Sequence, residues 1–262
     1  MKVAILGSGP SAAYSAMACD EYSEVQYDVL SNAPPPTFFP GAFWPRVNPT
    51  NKIFPMHNVY ISCTGNASEY LQKQWGVVRE DWLEETSFPK QSRQEVVYSP
   101  YDFFGTFWKD KEIIITESLS DKRIAEQIAK EYDWVFMTFA TNKSVAEQKS
   151  FLINYPIVSY ETDTLLNYCI YDGDTHDFMV RMSSLFGYVH WEYSKDYIPK
   201  VELLGSGRVT WATDTMPDTP EWDPRDTPAS NVTLLGRWAQ WSRKILAHDA
   251  HYETTRVLEK IL

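Results

Sequence analysis

The first thirty residues hold the most regular pattern of apolar and polar positions in the chain. Residues 1–6 form a short apolar run of the length of a buried parallel strand, and residues 25–30 form a second such run. Between them, residues 11–20 are mostly small side chains and predict a helix. The chain is therefore expected to open with a strand, a helix and a second strand in one βαβ unit.

Later segments repeat these patterns. Strands are predicted at residues 58–63, 112–116, 133–138 and 231–235, and helices at residues 67–75 and 122–131. From residue 155 to 212, short apolar runs alternate with turns, and this recurrence predicts an antiparallel sheet. Residues 79–93 are expected at the surface, residues 213–228 in a loop, and one long helix is expected from about residue 238 to 262.

The first predicted strand runs into a glycine-rich turn with the pattern Gly-x-Gly-x-x-Ala. Its residues are Gly7, Ser8, Gly9, Pro10, Ser11 and Ala12. In a dinucleotide-binding unit the first glycine permits the tight turn, the second lets the backbone approach a pyrophosphate, and the small third residue lets helix and strand pack closely. The helix N-terminus then faces the anion. The pattern predicts a dinucleotide over this turn.

The end of the second strand departs from the usual pattern of nicotinamide-binding proteins. Such proteins carry an acidic residue about 20 residues after the turn, where it holds a ribose hydroxyl. Asp28 falls inside the strand, so that Ser31 or Asn32 takes the ribose position. The chain also holds a single fingerprint, at its start, which is the layout of a protein that holds FAD. FAD is therefore the predicted cofactor.

Composition narrows the classes of partner. The 262 residues are 44% hydrophobic, and the formal net charge is −11 with no basic run. This charge argues against a broad surface for nucleic acid or anionic membrane, but it leaves room for one nucleotide in a local pocket. The three cysteines have no metal or redox spacing, and no apolar run is long enough to span a bilayer. We therefore expect a cytoplasmic protein without a bound metal, and the oligomeric state stays open.

The last predicted strand is followed by Gly236, Arg237 and Trp238. A strand, a glycine and a helix N-terminus are how flavoproteins of the glutathione-reductase type end. The helix end stabilises negative charge on the flavin, and an arginine can reach a phosphate or ribityl oxygen. His248 falls on the same predicted helix face as Trp238 and Tyr252, so it is either a packed histidine or a base.

Several of these segments together resemble short FAD-dependent oxidoreductase-like proteins that bacteriophages encode. The matching pieces are the residue 7–12 turn, Gly41-Ala42, Thr64-Gly65 with Tyr70 and Trp75-Gly76, residues 181–188, and residues 235–241 running to 247–250. The resemblance implies a flavoprotein fold and FAD. A more distant resemblance, to phage FAD lyases of thymidine hypermodification, suggests cleavage of a C–N bond in an amino acid attached to a base. The Gly236-Arg237 ending is also similar to that of UDP-galactopyranose mutases, for whose substrate domain this chain is expected to lack room.

This chemistry needs a carboxylate anchor and an apolar cover for the flavin. Arg181 and Arg46 are the anchor candidates because a guanidinium binds a carboxylate at two points, although each is equally well a structural or surface arginine. Tyr188 lies near Arg181 in sequence and is a candidate for the pocket wall. The apolar, proline-stiffened loop of residues 38–44, with Gly41 and Ala42, either covers the flavin or packs on the core.

The expected fold is α/β, with a Rossmann-like FAD-binding domain and an antiparallel sheet as substrate layer. Residues 1–37, 111–145 and 229–262 are assigned to the FAD-binding domain, and residues 38–110 and 146–228 to a substrate or cap region. The expected function is an FAD-dependent oxidoreductase or oxidative lyase that acts on an amine, with a small molecule or a modified nucleotide, free or in DNA, as substrate. The alternatives are an NAD(P)H-dependent flavin reductase or dehydrogenase, and a nucleotide-binding module without catalysis.

Overall fold

The fold is taken from a computed structural model that describes most of the chain. The described residues are 1–35, 56–85, 88–99, 106–117, 119, 122–139, 150–163, 166–174, 176–198, 207–217, 229–240 and 247–262. The following paragraphs concern these residues.

The described residues form strands and helices in mixed order. The strands are β1 Lys2–Leu6, β2 Gln26–Ser31, β3 Met56–Gly65, β4 Arg93–Tyr98, β5 Ile113–Ile115, β6 Trp134–Met137, β7 Ser150–Glu161, β8 Tyr168–Gly173, β9 Met179–Leu185, β10 Tyr188–Tyr193, β11 Arg208–Pro217 and β12 Val232–Leu234. The helices are α1 Pro10–Asp20, α2 Ala67–Trp75, α3 Glu80–Glu85, α4 Lys122–Glu131, α5 Gly236–Ala239 and α6 Asp249–Ile261.

Five strands form a parallel sheet in the order β12-β6-β1-β2-β5. The chain builds outward from β1 through β2 to β5, and then returns to the other side of β1 for β6 and β12. The strand order therefore reverses between β1 and β6. In open α/β sheets a ligand binds at such a switch point, at the carboxyl ends of the strands.

Helices cover both faces of the parallel sheet. On one face, α1 and α6 pack together over β1, and Ala12, Ala16 and Leu258 are completely buried there. On the other face, α4 buries Ala125 and Ile128 against Ala4 of β1. A sheet with apolar layers on both faces needs strands that are apolar throughout. Four consecutive residues of β1 are buried, and because all four are apolar the strand could be predicted from the sequence.

Seven strands form a second sheet in the order β11-β7-β10-β9-β8-β3-β4. Its neighbours are antiparallel except for β3 and β8, which are parallel. The predicted α/β class with a second sheet is confirmed, with the correction that the second sheet is mixed. All strands of the parallel sheet come from the segments assigned to the FAD-binding domain, while the domain boundaries themselves stay a prediction.

Helix α2 covers one face of the second sheet. The ring of Tyr70 in α2 lies 5.7 Å from that of Tyr171 in β8. Cross-strand partners lie on one face, and Tyr171 pairs with Arg181, which pairs with Glu192. Arg181 and Glu192 therefore lie on the face that α2 covers. Over β8 and β9, the other face has no such helix among the described residues, whereas at the end of β4 it meets α1.

Arg181 and Glu192 form a two-point ion pair on this covered face. Nε and Nη2 of the guanidinium donate to the two carboxylate oxygens at 2.6 and 2.8 Å. The Glu192 side chain is only 4% exposed. Burial alone would lower the pKa of Arg181, but the carboxylate of Glu192 holds this pKa above its ordinary value. Arg181 therefore stays charged inside the protein.

The two sheets meet where β4 ends. The hydroxyl of Tyr98, the last residue of β4, hydrogen-bonds the hydroxyl of Tyr14 in α1, and both side chains are buried. Tyr98 also packs in the core between α1 and α6. The second sheet is thus attached to the first helix of the parallel-sheet unit.

Several sequence expectations need correction. Strands β4 and β10 were not predicted, and Trp82 is buried although residues 79–93 were expected at the surface. Strand β11 continues to Pro217 into the expected loop. The expected long C-terminal helix is wrong, because α5 ends at Ala239 and α6 begins at Asp249.

Replacing Glu192 with alanine should destabilise the fold strongly. It would leave the Arg181 guanidinium buried without its carboxylate, at a cost of about 3–5 kcal/mol in the free energy of unfolding. The matched control is Glu253→Ala, which breaks the exposed Glu253–Arg256 pair and should cost at most about 1 kcal/mol. Urea denaturation measures both. Equal small losses would contradict the buried pair.

The buried histidine of β10 should give the fold an acid-sensitive component. Burial, and then the charge of Arg181, lower the pKa of His190 from 6.5 to about 4. The unfolded chain therefore takes up this proton first, and stability should fall as the pH drops from about 6.5 to 4, by at most about 1.4 kcal/mol per pH unit. His190→Asn should flatten this part of the pH profile of unfolding. His176→Asn, at a side chain that is 90% exposed, is the control and should leave the slope unchanged.

Candidate functional site

The candidate site lies at the carboxyl edge of the parallel sheet. Strands β1, β2, β6 and β12 run in one direction and therefore end at the same edge. The residues that follow them are Gly7 after β1, Asn32 after β2, Thr138 after β6 and Leu235 after β12. The glycine turn predicted from the sequence thus lies at the switch point of the sheet.

Gly7 is required by the fold itself. Its φ of +116° favours glycine, and a Cβ atom at this position would come within 2.3 Å of Oγ1 of Thr138. That hydroxyl donates to the carbonyl of Leu6 at 2.7 Å, and the Gly7 amide donates to the carbonyl of Leu30, also at 2.7 Å. The sequence analysis did not include Thr138 in the site. The only feature of the sequence that pointed to Thr138 was its position as a small hydroxyl residue directly after a buried strand.

Gly9, in contrast, is not required by the fold. Its φ of −77° and ψ of −174° suit any residue, and a Cβ atom there would meet nothing within 4 Å. Gly9 caps α1 without a side-chain hydrogen bond, Pro10 follows, and the first turn holds no acidic residue. The space beside Gly9 is therefore open, and no carboxylate of the first turn opposes an anion at the amides of this helix end. This geometry fits the pyrophosphate of a dinucleotide.

Two serines tie the end of β2 to the turn. The Ser31 hydroxyl lies 2.9 Å from that of Ser8 and 2.6 Å from the carbonyl of Ala33, to which Ser8 also donates. Ser31 is buried and engaged, whereas Asn32 is exposed. Of the two candidates for the ribose position, Asn32 is therefore the one whose side chain a ligand can reach.

The start of α5 lies against the start of α1. Gly236 has a φ of +80°, and a Cβ atom there would come within 2.4 Å of Oγ of Ser11. The structure therefore brings the two predicted glycine segments together. The side chains of Arg237 and Trp238 lie outside the described part of the chain, as do Gly41 and Ala42, so their predicted contacts with the cofactor stay predictions.

Arg181, one of the two predicted anchors for a substrate carboxylate, is engaged by an internal carboxylate, and its role as an anchor stays a prediction. It lies beneath α2, its guanidinium is 5.6 Å from the ring centre of Tyr171, and Glu192 occupies two of its donors. Two-residue alternation along β9 gives the physical reason, because it turns Arg181 to the covered face. A substrate carboxylate would have to displace an internal carboxylate.

The other candidates for catalysis are not brought together with this site. Tyr188 stacks on His190 at 5.9 Å between ring centres, on the second sheet. His248 is buried, with its ring edge-on to Tyr14 at 6.3 Å and Nε2 at 3.6 Å from Asp249, so it packs between α1 and α6. Arg46 lies outside the described residues.

No described helix is both long and apolar enough to cross a bilayer. No group of three or more histidine, cysteine, aspartate or glutamate side chains in the described ranges could hold a metal ion.

Comparisons with known proteins identify the fold. No protein-family model matches the sequence, and no curated protein matches it. The structure of reduced UDP-galactopyranose mutase matches 99% of this chain and 93% of its own, at 10% identity and a TM-score of 0.55. The peptidyl tryptophan dihydroxylase QhpG matches 89% of this chain at 10% identity and a TM-score of 0.50, and this chain spans 59% of it. An FAD-dependent oxidoreductase from Pseudomonas aeruginosa matches 99% of this chain and 90% of its own, at 9% identity and a TM-score of 0.48.

At such identities the matches establish the fold alone. The chain is similar in fold to UDP-galactopyranose mutase and to QhpG, which agrees with the Rossmann-like α/β class predicted from the sequence. The match to the mutase covers nearly all of that protein. The expectation that this chain lacks room for the substrate domain of the mutases stays a prediction.

Proposed function

We propose that this protein is a flavin-dependent oxidoreductase that binds FAD across the carboxyl edge of its parallel sheet. The observation that carries the proposal is the open space at Gly9. This glycine is demanded neither by its backbone angles nor by a neighbouring atom, so a ligand that lies against the backbone explains it. The amides at the start of α1 would hold the pyrophosphate.

The other residues of the edge have distinct roles in this proposal. Thr138 and Gly7 fix the turn, and Ser8 and Ser31 hold the segment after β2 beside it. Asn32 would contact the ribose. The proposal also includes the cofactor contacts that the sequence predicts for Gly41, Ala42, Arg237 and Trp238.

The residues at the end of β2 favour FAD over a nicotinamide dinucleotide as the cofactor. The end of β2 offers Ser31 and Asn32 in place of a carboxylate, and Asp28 is engaged with Tyr132 through a hydrogen bond of 2.7 Å. The fold likeness to UDP-galactopyranose mutase, which was solved in a reduced form, supports a redox cofactor.

The reaction that we propose is oxidation of an amine, with an amino-acid-modified thymidine of phage DNA as the substrate, in the host cytoplasm. Bound FAD would accept a hydride from the carbon beside the nitrogen. The substrate imine that remains takes up water, and its C–N bond breaks to give a 2-oxo acid and a free amine. Because Arg181 is paired with Glu192, Arg46 is the proposed anchor for the carboxylate. The support for this substrate is the sequence resemblance to phage flavoproteins.

The two glycines of the turn should respond differently to substitution. Gly9→Val should give folded but colourless protein, since its side chain would fill the space of the pyrophosphate while costing about 1 kcal/mol or less in stability. Gly7→Ala should lose stability whether or not FAD is present, because of its positive φ and the contact with Thr138. Flavin absorbance and thermal unfolding measure both. Full flavin occupancy in Gly9→Val would remove the basis of the FAD assignment.

The reaction type can be tested in a single turnover without air. Mixing the yellow protein with glycyl- or glutamyl-modified thymidine, free or in DNA, should bleach the flavin band and release one equivalent of 2-oxo acid. Arg46→Ala should slow bleaching, whereas Arg93→Ala, at a surface arginine of β4, is the control. If NADPH alone bleaches the flavin and every amine is inert, the protein is a reductase and the amine mechanism is wrong.

A further inference from the structure

The second sheet differs from an ordinary surface sheet because it has charged side chains on its covered face. A sheet with one covered face normally places apolar side chains under the cover and polar ones outside. Here the covered face holds the Arg181–Glu192 ion pair and the buried His190. The opposite face is the one to examine for a ligand.

The open face carries a row of uncharged side chains across six neighbouring strands. Cross-strand partners form this row from β11 to β3, and it consists of Val209, Val158, Trp191, Met182, Ile170 and Ser62. None of these side chains ionises. Trp191 is 37% exposed, whereas Val158 is buried. Exposed apolar side chains that are grouped on one face of a folded protein mark a binding site more often than ordinary surface does.

A second row beside it repeats the pattern. It runs through Tyr160, Val189, Ser184, Tyr168, Tyr60 and Gln94 and holds no charged side chain. Tyr60 is 54% exposed. Aromatic side chains continue along β10, where Trp191 stacks on Tyr193 at 6.5 Å and Tyr193 on Tyr197 at 4.3 Å.

The open face is continuous with the contact between the two sheets. Tyr98 belongs to it, because it lies two residues beyond Val96 and four beyond Gln94 on the same strand. Its hydroxyl bonds Tyr14, which follows the proposed pyrophosphate position at Gly9 by about one and a half helical turns. Strand β3, which carries Tyr60, therefore pairs with the strand whose last residue contacts the nucleotide unit.

We infer that the open face binds an uncharged planar ring of the substrate, which stacks on Tyr60. This inference rests on the proposed function, since the ring would belong to the compound that the flavin oxidises. The absence of charge from both rows disfavours an ionic group as the part bound here, and exposed aromatic rings suit a nucleobase or an indole. The carboxylate of the substrate would then bind elsewhere.

Ring binding can be measured without any flavin signal. Saturation-transfer NMR on the purified full chain would follow the ring protons of two neutral probes, thymidine and N-acetyltryptophanamide, with glutamate as the charged comparison. Both neutral rings should bind and glutamate should not. Preference between the probes distinguishes a nucleobase from an indole. Because the probes themselves are observed, loss of FAD binding would refute the proposed function and leave this measurement intact.

Variants of Tyr60 make the test specific. Tyr60→Ala should weaken binding of the neutral rings about fivefold to a hundredfold, and Tyr60→Phe should retain it, since stacking needs the ring and not the hydroxyl. The matched control is Tyr252→Ala in α6, whose tyrosine is 52% exposed and lies on another surface. Met182→Lys, which inserts a charge into the face, should also weaken binding.

Three results would overturn the inference. Unchanged ring binding in both Tyr60→Ala and Met182→Lys would remove the face as the site. A preference for glutamate over the neutral rings would contradict its chemistry. Sedimentation that reveals a dimer of the wild type and a monomer of Tyr60→Ala, with no ring bound by either, would assign the face to a second copy of the chain.

Discussion

The close approach of Gly7 to Thr138 is the constraint on which the nucleotide unit depends. It lies where β1 and β6 end side by side, at the point where the strand order reverses, and it leaves no room for a side chain. The turn that results starts α1 at Gly9, where the space beside the backbone is open. The serine contacts at β2 and the contact of Gly236 with Ser11 then close the edge around the same point. One backbone position thus fixes the turn at which we propose that the pyrophosphate binds.

The sequence predicted this unit well because its signals are local. A buried strand, two glycines at fixed spacing and a helix of small residues all lie within the first twenty positions. The second sheet was harder to read. Its covered face contains Arg181, Glu192 and His190, so that the alternation of β10 is inverted: the apolar Val189 and Trp191 lie on the open face and the polar side chains lie under α2. The pairing of Arg181 depends on a carboxylate that only the sheet register brings opposite to it. The C-terminal segment has a continuous helical spacing of apolar residues, yet the chain turns at residues 247–248 before α6.

The two faces of the second sheet differ in where they carry charged side chains. Arg181 and Glu192 under α2 are stabilised by a two-point pair, and the two neighbouring rows of the opposite face hold no ionic group. A solvated charge in those rows would bind water and ions in competition with a neutral ring. The placement of this ion pair on the covered side keeps the two rows suited to uncharged ligands.

The order of the strands also has a consequence for synthesis on the ribosome. Every described strand of the second sheet precedes β12 and α6 along the chain, whereas α1 is covered only when α6 packs on it. The described strands of the second sheet are therefore all synthesised while the apolar side of α1 is not yet covered by α6. We expect the nucleotide unit to close late, with α1 as the segment that chaperones contact until then.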